Sequence, residues 1–170
     1  MAEMKHTDAI ALLKADHREV EALFEKFESA KGLVKKQVLA EKICNELKIH
    51  STIEEELFYP AFDGKIDADI MTEAYVEHDS AKVLINDIMT GSPDDEFYDA
   101  KVKVLSEEIE HHVKEEELRS EGMFAKCRET DVDLVALGEQ MFARKMELKA
   151  LAEAEGLPPA QMHTVMVMED

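Results

Sequence analysis

The sequence predicts an all-α protein, an up-down-up-down antiparallel four-helix bundle with an additional C-terminal helix. Apolar residues recur at helical spacing along most of the chain, and no stretch alternates as a β-strand does. Glycine and proline are scarce, with 6 and 4 among 170 residues, and 35% of the residues are charged, a composition typical of helical proteins. The breaks between the periodic segments are short, which favours antiparallel packing of neighbouring helices.

The first two predicted helices cover residues 7–29 and 33–59. Thr7 or Asp8 can provide the N-cap of the first, because their side-chain oxygens can accept hydrogen bonds from free backbone amides. The second should end before Pro60, since the residue that precedes a proline is disfavoured in helical geometry. Both segments carry apolar residues on one face, as expected for bundle helices.

The third predicted helix begins at Asp67 or Asp69 and ends at the segment GSPDDE, the clearest boundary in the chain. Gly91 can serve as the C′ residue of this helix. Ser92 can then be the N-cap and Pro93 the first residue of the next helix, because proline lacks an amide that this position does not need.

The fourth predicted helix runs from Pro93 to Arg128, with an irregularity at Gly122, and a fifth amphipathic helix runs from Asp131 to Glu155. A glycine and two prolines follow the fifth helix and should end it. We therefore expect three parts: a bundle of residues 1–128, a C-terminal helix of residues 129–156 packed on it, and a tail of residues 157–170.

Charge and composition exclude several classes of function. The chain carries 39 acidic and 20 Lys and Arg residues, for a net charge of −19. Such a charge repels phosphate backbones and anionic lipid, so we expect neither nucleic acid nor a membrane as a partner. The N-terminus lacks an apolar targeting segment, and we predict a cytoplasmic protein. Cys44 and Cys127 have no CxxC spacing and are expected to be free thiols.

Each of the four bundle helices carries one histidine in register with its apolar residues, and two of these histidines are followed by a glutamate at the fourth position. The residues are His17, His50, Glu54, His78, His112 and Glu116. One helical turn places each glutamate on the face of its histidine. A buried carboxylate without a partner costs several kcal/mol. Two metal ions, bridged by the two carboxylates and bound by the imidazoles, would remove this cost, and the donor set suits iron, manganese or zinc.

Other interpretations compete with a metal pair. A single histidine on an apolar face is more often a satisfied core residue than a ligand, so the prediction depends on the whole set. Two facing histidines could also ligate a haem, but two inward glutamates beside them argue against this. The ferritin-like plan needs Glu-x-x-His on two helices, and here that spacing occurs once, as Glu108–His111.

The segment EHHVKEEEL, residues 110–118, allows two registers. Counting from the upstream apolar residues selects His112 and Glu116, whereas counting from the downstream leucine selects His111 and Glu115. We choose the upstream count, because Glu116 lies four residues after His112 and five after His111 and can share a site with either. Glu115 and Glu117 are then expected to face water, and whether His111 supplements or replaces His112 stays open.

The motifs together resemble those of the haemerythrin family, in its HHE cation-binding branch. They are DHREVEALF around His17, HSTIEEELFYPAF from His50, EAYVEHD around His78 and HHVKEEE from His111. The resemblance covers about residues 7–128. It implies a four-helix bundle holding two iron ions, a non-haem di-iron centre with an oxo or hydroxo bridge, with zinc or manganese as substitutes. The implied ligands are His17, His50, Glu54, His78, His112 and Glu116.

The resemblance also implies a choice of functions. Oxygen-carrying haemerythrins have a second histidine where this sequence has Lys82, so the remaining set is closer to members linked to nitric oxide, cluster repair or peroxide. We expect a protein that binds or senses a small diatomic ligand, dioxygen or nitric oxide, or handles iron. The alternative is a di-iron enzyme that acts on peroxide or nitric oxide, or donates iron for iron–sulfur cluster repair.

Two further features have open interpretations. Tyr75 lies one turn before His78 and could reach the metals, but a packed core tyrosine is favoured. His163 stands in the tail with three methionines, Met162, Met166 and Met168. This group could bind a soft metal, but a disordered tail or a segment that docks on a partner is favoured.

Overall fold

Six α-helices build the fold, and the computed structural model, which describes residues 3–166, contains no strand in that range. The four long helices at the N-terminal side form an up-down-up-down antiparallel bundle, so the predicted fold class is confirmed. The helices are α1 (Ala9–Ser29), α2 (Leu33–Ile53), α3 (Ala68–Thr90), α4 (Tyr98–Glu117), α5 (Met123–Arg128) and α6 (Leu134–Ala154).

Side-chain caps fix where α1 and α6 begin. The carboxylate of Asp8 accepts a hydrogen bond from the amide of Ala11, and that of Asp133 accepts from the amides of Val135 and Ala136. Each cap satisfies amides that have no partner inside the helix. The start of α1 is therefore one of the two predicted positions, whereas α6 begins three residues later than the predicted Asp131.

The second helix does not end where Pro60 predicted. After Ile53 the chain continues as a π-helical segment, Glu54–Phe58, and then as a short α-helical turn, Tyr59–Ala61. The amide of Tyr59 donates to the carbonyl of Glu54, five residues earlier. The wider turn lets the helical course pass through Pro60, so the predicted end at Tyr59 is wrong by two residues.

The predicted start of the fourth helix at Pro93 is also wrong, because α4 begins at Tyr98. The carboxylate of Asp95 accepts from the amide of Ser92, and consecutive turns fill the segment up to Tyr98. Ser92 is therefore not an N-cap. Tyr98 is buried and its ring lies 6.4 Å from that of Phe27, so burial of this side chain at the end of the bundle accompanies the later start.

The fourth predicted helix is interrupted rather than merely irregular. It ends at Glu117, residues 118–122 form a loop, and α5 follows. The amide of Gly122 donates to the carbonyl of Leu118, and a Cβ at Gly122 would lie 2.8 Å from the carbonyl oxygen of Glu116. Only glycine fits so close to this backbone, which explains why the chain can break immediately after the helix.

The core has two apolar halves with a polar layer between them. Along α1, for example, Leu13 belongs to one half and Val20 to the other, and His17 lies between them. The other three bundle helices place a buried histidine in the same layer. The layer is where the six residues predicted as metal ligands meet.

The C-terminal part covers one side of the bundle. Helix α6 packs against α1 and α2, and Gly138 allows this approach because a Cβ there would lie 2.6 Å from the amide nitrogen of Ala9. Residues 157–166 then lie against α2 and α3, so the expectation of a disordered tail is corrected for these residues. Met168 lies outside the described residues. No helix within residues 3–166 combines the length and the apolar character of a membrane span.

Candidate metal centre

The four bundle helices each direct one buried imidazole into the polar layer. The exposed fractions of His17, His50, His78 and His112 are between 4% and 7%. Their Nε2 atoms form two close pairs, with 3.2 Å between His17 and His50 and 3.2 Å between His78 and His112. The Nε2 atoms of both pairs therefore point into one small space between the helices.

Carboxylates contact the outer side of these imidazoles. Asp16 Oδ2 lies 3.1 Å from Nδ1 of His50, and Glu77 Oε1 lies 2.9 Å from Nδ1 of His112. A carboxylate can only accept, so in the neutral form of each imidazole Nδ1 carries the proton and Nε2 presents a lone pair inward. Two bare lone pairs at 3.2 Å repel each other unless a cation or a proton lies between them.

The outer carboxylates are arranged in a cycle around the bundle. Asp16 of α1 accepts a hydrogen bond from Nδ1 of His50 on α2, and Glu77 of α3 accepts one from Nδ1 of His112 on α4. Glu117 of α4 returns to α1, where its Oε2 lies 2.9 Å from Nδ1 of His17. In the remaining step, Glu55 Oε2 is 3.7 Å from Nδ1 of His78, too far for a hydrogen bond. Three of the four histidines are thus held at Nδ1 by a carboxylate from a neighbouring helix, the arrangement that orients metal-bound imidazoles.

The two predicted glutamates each face one histidine from both Nε2 pairs. Glu54 Oε1 lies 2.9 Å from Nε2 of His50 and 3.3 Å from Nε2 of His78. Glu116 Oε1 lies 2.6 Å from Nε2 of His112, and its Oε2 lies 3.5 Å from Nε2 of His17. Both side chains are almost completely buried. This is the position that a carboxylate bridging two ions requires.

The carboxylate oxygens themselves lack hydrogen-bond partners. Both oxygens of Glu54 and Oε2 of Glu116 are buried with no donor, although an unpaired buried carboxylate is costly. The potential ligand atoms fall into two groups whose members lie within 4.8 Å of one another: Glu54, His78, His112 and Glu116, and His17, His50 and Glu116. Imidazole nitrogens and carboxylate oxygens suit iron, zinc or manganese, so the donor set fits a metal pair.

In the metal-free protein, protonation of the buried histidines offsets part of the negative charge of the buried glutamates. Burial lowers the pKa of His50, but the carboxylates of Glu54 and Asp16 outweigh it and raise this pKa to about 10. Burial raises the pKa of Glu54, but His50 and His78 outweigh it and hold this pKa well below its usual value. The carboxylates also raise the pKa of His78 and His112 above their ordinary value, against the effect of burial. The layer is therefore built to hold positive charge at its centre.

Sequence reasoning missed Tyr59, which reaches into the same layer. Its hydroxyl lies 3.1 Å from Nε2 of His78 and 3.0 Å from Oε1 of Glu116. Burial and the charges of Glu116 and Glu54 raise its pKa well above 10.0, so the hydroxyl keeps its proton. Tyr75, the tyrosine that the sequence offers as a candidate, packs on the ring of Tyr59 and stacks on His163 at 4.4 Å.

The EHHVKEEEL segment separates into inward and outward residues. His112 and Glu116 are buried, whereas the side chain of His111 is 63% exposed and pairs with Glu115 at the surface. Glu115 faces water as expected. Glu117 does not, because it accepts from His17 and from Arg18 and is only partly exposed, so that expectation is corrected.

A small apolar cavity adjoins the histidines. Its volume is about 30 Å³, and Val20, Leu47, Ala81, Ile85 and Val113 contribute apolar walls beside the imidazoles. A water molecule needs about 10–15 Å³ of such volume. The cavity therefore has room for a ligand of two or three atoms.

The comparisons with known proteins agree with this geometry. The family model of the hemerythrin HHE cation binding domain matches residues 8–125, which include the whole layer. The chain belongs to the hemerythrin HHE cation-binding family. The family, like the geometry, indicates cation binding and leaves the identity of the metal to be determined.

Two relatives place this hemerythrin-like chain in context. A crystal structure of a hemerythrin HHE cation binding domain-containing protein from Mycobacterium kansasii superposes with a TM-score of 0.72, covering 88% of this chain and 94% of that one, at 22% identity. This likeness shows the fold alone. A curated protein from Nostoc sp., a DNA nickase, is 29% identical over 109 residues, 62% of this chain. The chain spans only 30% of that relative.

Proposed function

We propose that this chain is a non-haem di-iron protein whose centre binds a small diatomic ligand, dioxygen or nitric oxide. The proposed ligands are His17, His50, Glu54, His78, His112 and Glu116. The observation that supports it best is the placement of Glu54 and Glu116, each of which faces one imidazole of both Nε2 pairs while three of their four oxygens lack a donor.

The residues divide between two metal positions. His17 and His50 would hold one ion, and His78 and His112 the other, with both glutamates shared between them. When bound, such a pair supplies open coordination positions for a small ligand. The outer carboxylates would keep the imidazoles of His17, His50 and His112 in the Nδ1–H form, so that their Nε2 atoms are free to ligate. Iron is proposed from the resemblance to haemerythrins, and zinc or manganese would fit the same donors.

The size and polarity of the neighbouring space support a diatomic ligand. The wall of the cavity of about 30 Å³ includes six aliphatic side chains beside the imidazoles. A neutral diatomic molecule enters such a space without losing hydrogen bonds to water, whereas a charged or larger substrate would have to be desolvated. The proposal therefore concerns dioxygen and nitric oxide before any organic substrate.

Metal analysis of the purified chain, with an absorption spectrum of its oxidised form, tests the proposal. We expect about two iron ions per chain, as in other two-metal sites, and loss of most of this metal on substitution His112→Ala. His111→Ala is the matched control, because His111 is the adjacent but exposed histidine, and should keep its metal. A folded protein that holds no metal, or equal losses in the two variants, would contradict the proposal.

A second function, a di-iron enzyme acting on peroxide or nitric oxide, is favoured by Tyr59. Its protonated hydroxyl lies 3.1 Å from Nε2 of His78, where it could donate a hydrogen bond to a bound ligand and help to cleave it. Stopped-flow mixing of the reduced, iron-loaded protein with nitric oxide or peroxide, in the presence of an excess of a small-molecule electron donor, separates the two functions. A stable adduct supports binding, whereas consumption of many equivalents supports an enzyme, and Tyr59→Phe should then slow it.

A further inference from the structure

The tail at residues 157–166 is fastened to one face of α3. The side-chain amide of Asn86 exchanges two hydrogen bonds of 2.8 Å with the backbone of Ala160. Asp79 accepts from the amides of His163, Thr164 and Val165 at 2.9, 2.6 and 3.1 Å. Because positions 79, 82 and 86 share a helix face, the tail runs along α3 close to His78.

Lys82 joins this tail to the surroundings of the metal centre. Its side chain is buried, and its Nζ donates to the carbonyl of Gln161 at 2.9 Å and to Oε1 of Glu55 at 2.8 Å. Glu55 in turn faces Nδ1 of His78. A single ammonium group therefore connects the tail with a carboxylate that faces His78, one of the proposed ligands.

Lys82 also separates two spaces. On its inner side is the cavity of about 30 Å³ at the histidines. On its outer side is an open groove of about 500 Å³ between the tail, α2 and α6. Ser51 and Lys82 line both spaces. A ligand that passed between these two side chains would go from solvent to the proposed metal pair.

A rival route exists between α1 and α4. A groove of about 480 Å³ there shares Ile109 with the inner cavity. Ile109 lies in the middle of α4 and packs against one apolar half of the core, so opening that route requires its side chain to leave this packing. The tail is a terminal segment fastened by a few side chains, and such segments open at a much lower free energy than bundle helices.

We infer that small ligands enter the centre through the groove beneath the tail, and that Lys82 and the tail it holds form the gate of this route. This inference rests on the proposed function. The gate is closed by the hydrogen bonds of Lys82, Asn86 and Asp79 to residues 160–165. It opens when the tail leaves α3, without any change in the bundle.

The association rate of nitric oxide with the reduced, iron-loaded full chain tests this gate, because a neutral probe removes effects of charge. Asn86→Ala removes both hydrogen bonds to Ala160 and so loosens the tail without touching Lys82 or Glu55. Lys82→Met removes the bond to Gln161. We expect both variants to associate about tenfold faster, since gating by a local opening limits on-rates. Faster amide hydrogen exchange at His163, Thr164 and Val165 should accompany this.

Control variants distinguish a failure of the proposed gate from a failure of the proposed function. Lys101→Met removes a surface lysine that pairs with Asp87, and should leave the rate unchanged. Ile109→Ala tests the rival route, and a larger acceleration there than in Asn86→Ala would overturn the gate. Unchanged rates in both tail variants would also overturn it. A chain that binds no metal, or binds iron but forms no nitric oxide adduct, would instead contradict the proposed function.

Discussion

The two His-x-x-x-Glu segments, one on α2 and one on α4, are alike in sequence but differ in what surrounds them. His50 receives a carboxylate, Asp16, that is buried and also bound by Lys145 of α6. His112 receives Glu77, which is partly exposed and also contacts the surface residue His111. Equal motifs thus occupy unequal environments: the first is fixed by buried charge, the second by a network that reaches solvent.

The chain also continues differently after the two glutamates. After Glu54 the helix widens into the π-helical segment and brings Tyr59 to the centre. After Glu116 the helix stops within one residue and a loop closes on Gly122. Both departures from regular α-helix begin at the polar layer. The first agrees with the frequent occurrence of π turns at functional sites. The backbone that follows each glutamate therefore differs: a π-helical segment follows Glu54, and a helix end with a glycine loop follows Glu116.

The largest expected effect follows from removing the charge of Asp16. The pKa of Asp16 is raised by burial but lowered further by His50 and Lys145, so the residue is ionised and balances a buried ammonium. Asp16→Asn leaves Lys145 without a counter-charge, which should cost about 3–5 kcal/mol of unfolding free energy. Urea denaturation of the metal-free protein measures this loss.

Glu77→Gln is the matched substitution at the second motif. Because Glu77 is partly exposed, it should change the stability of the metal-free chain little, while both variants should weaken metal binding about 10–100-fold through the outer contact to histidine. Restored stability in Asp16→Asn combined with Lys145→Met would attribute the loss to the buried charge. Equal destabilisation by the two single variants would show that the environments do not differ as described.

A smaller effect is expected at Gly122, the residue that ends the second motif. In Gly122→Ala the added Cβ would lie 2.7 Å from the amide nitrogen of Leu118 and 2.8 Å from the carbonyl oxygen of Glu116. Since both are backbone atoms, relief requires the loop to move, at about 1–3 kcal/mol. Glu116 should shift with it, so metal content should fall together with the melting temperature.

Gly64→Ala is the control for this substitution. Gly64 has φ of 72°, and a Cβ added there would have no atom within 4 Å, so alanine meets backbone strain of about 1–2 kcal/mol but no clash. It lies in a turn away from the layer and should keep full metal content. Metal loss of similar size in both glycine variants would mean that general destabilisation, rather than displacement of Glu116, is responsible.

Periodicity alone was enough to predict the bundle and to bring the six proposed ligands together. His17, His50 and His78 stand at helical spacing from apolar residues. They lie on the same helix face as those residues in the structure, because their helices are regular up to these positions. The choice of His112 over His111 also depended on the regular upstream part of α4. The four histidines face inward as predicted because each lies in a regular stretch of α-helix, and their role as ligands stays a prediction.

The parts that were missed depend on departures from that regularity or on contacts between helices. An α-helical count turns Tyr59 away from the face of Glu54, and only the π turn brings it back. The outer carboxylates had a usable signal, because each directly neighbours an inward residue in sequence and so faces the adjacent helix. They are Asp16, Glu55, Glu77 and Glu117. The docking of the tail on Asp79 had no periodic signal.

The smallest expected effect on stability is that of Tyr59→Phe, and it tests whether the π turn serves the site or only the fold. The substitution removes a hydroxyl whose hydrogen bond to Oε1 of Glu116 is 3.0 Å long, at a cost of about 1 kcal/mol. The ring packing on Phe58 and Tyr75 is kept, so the helices should melt at nearly the same temperature. If the hydroxyl acts at the centre, the absorption spectrum of the metal-loaded protein or its rate of ligand binding should nevertheless change. A variant with unaltered spectrum and rate would assign Tyr59 to core packing alone, and the π turn would then have no part in the chemistry of the first motif.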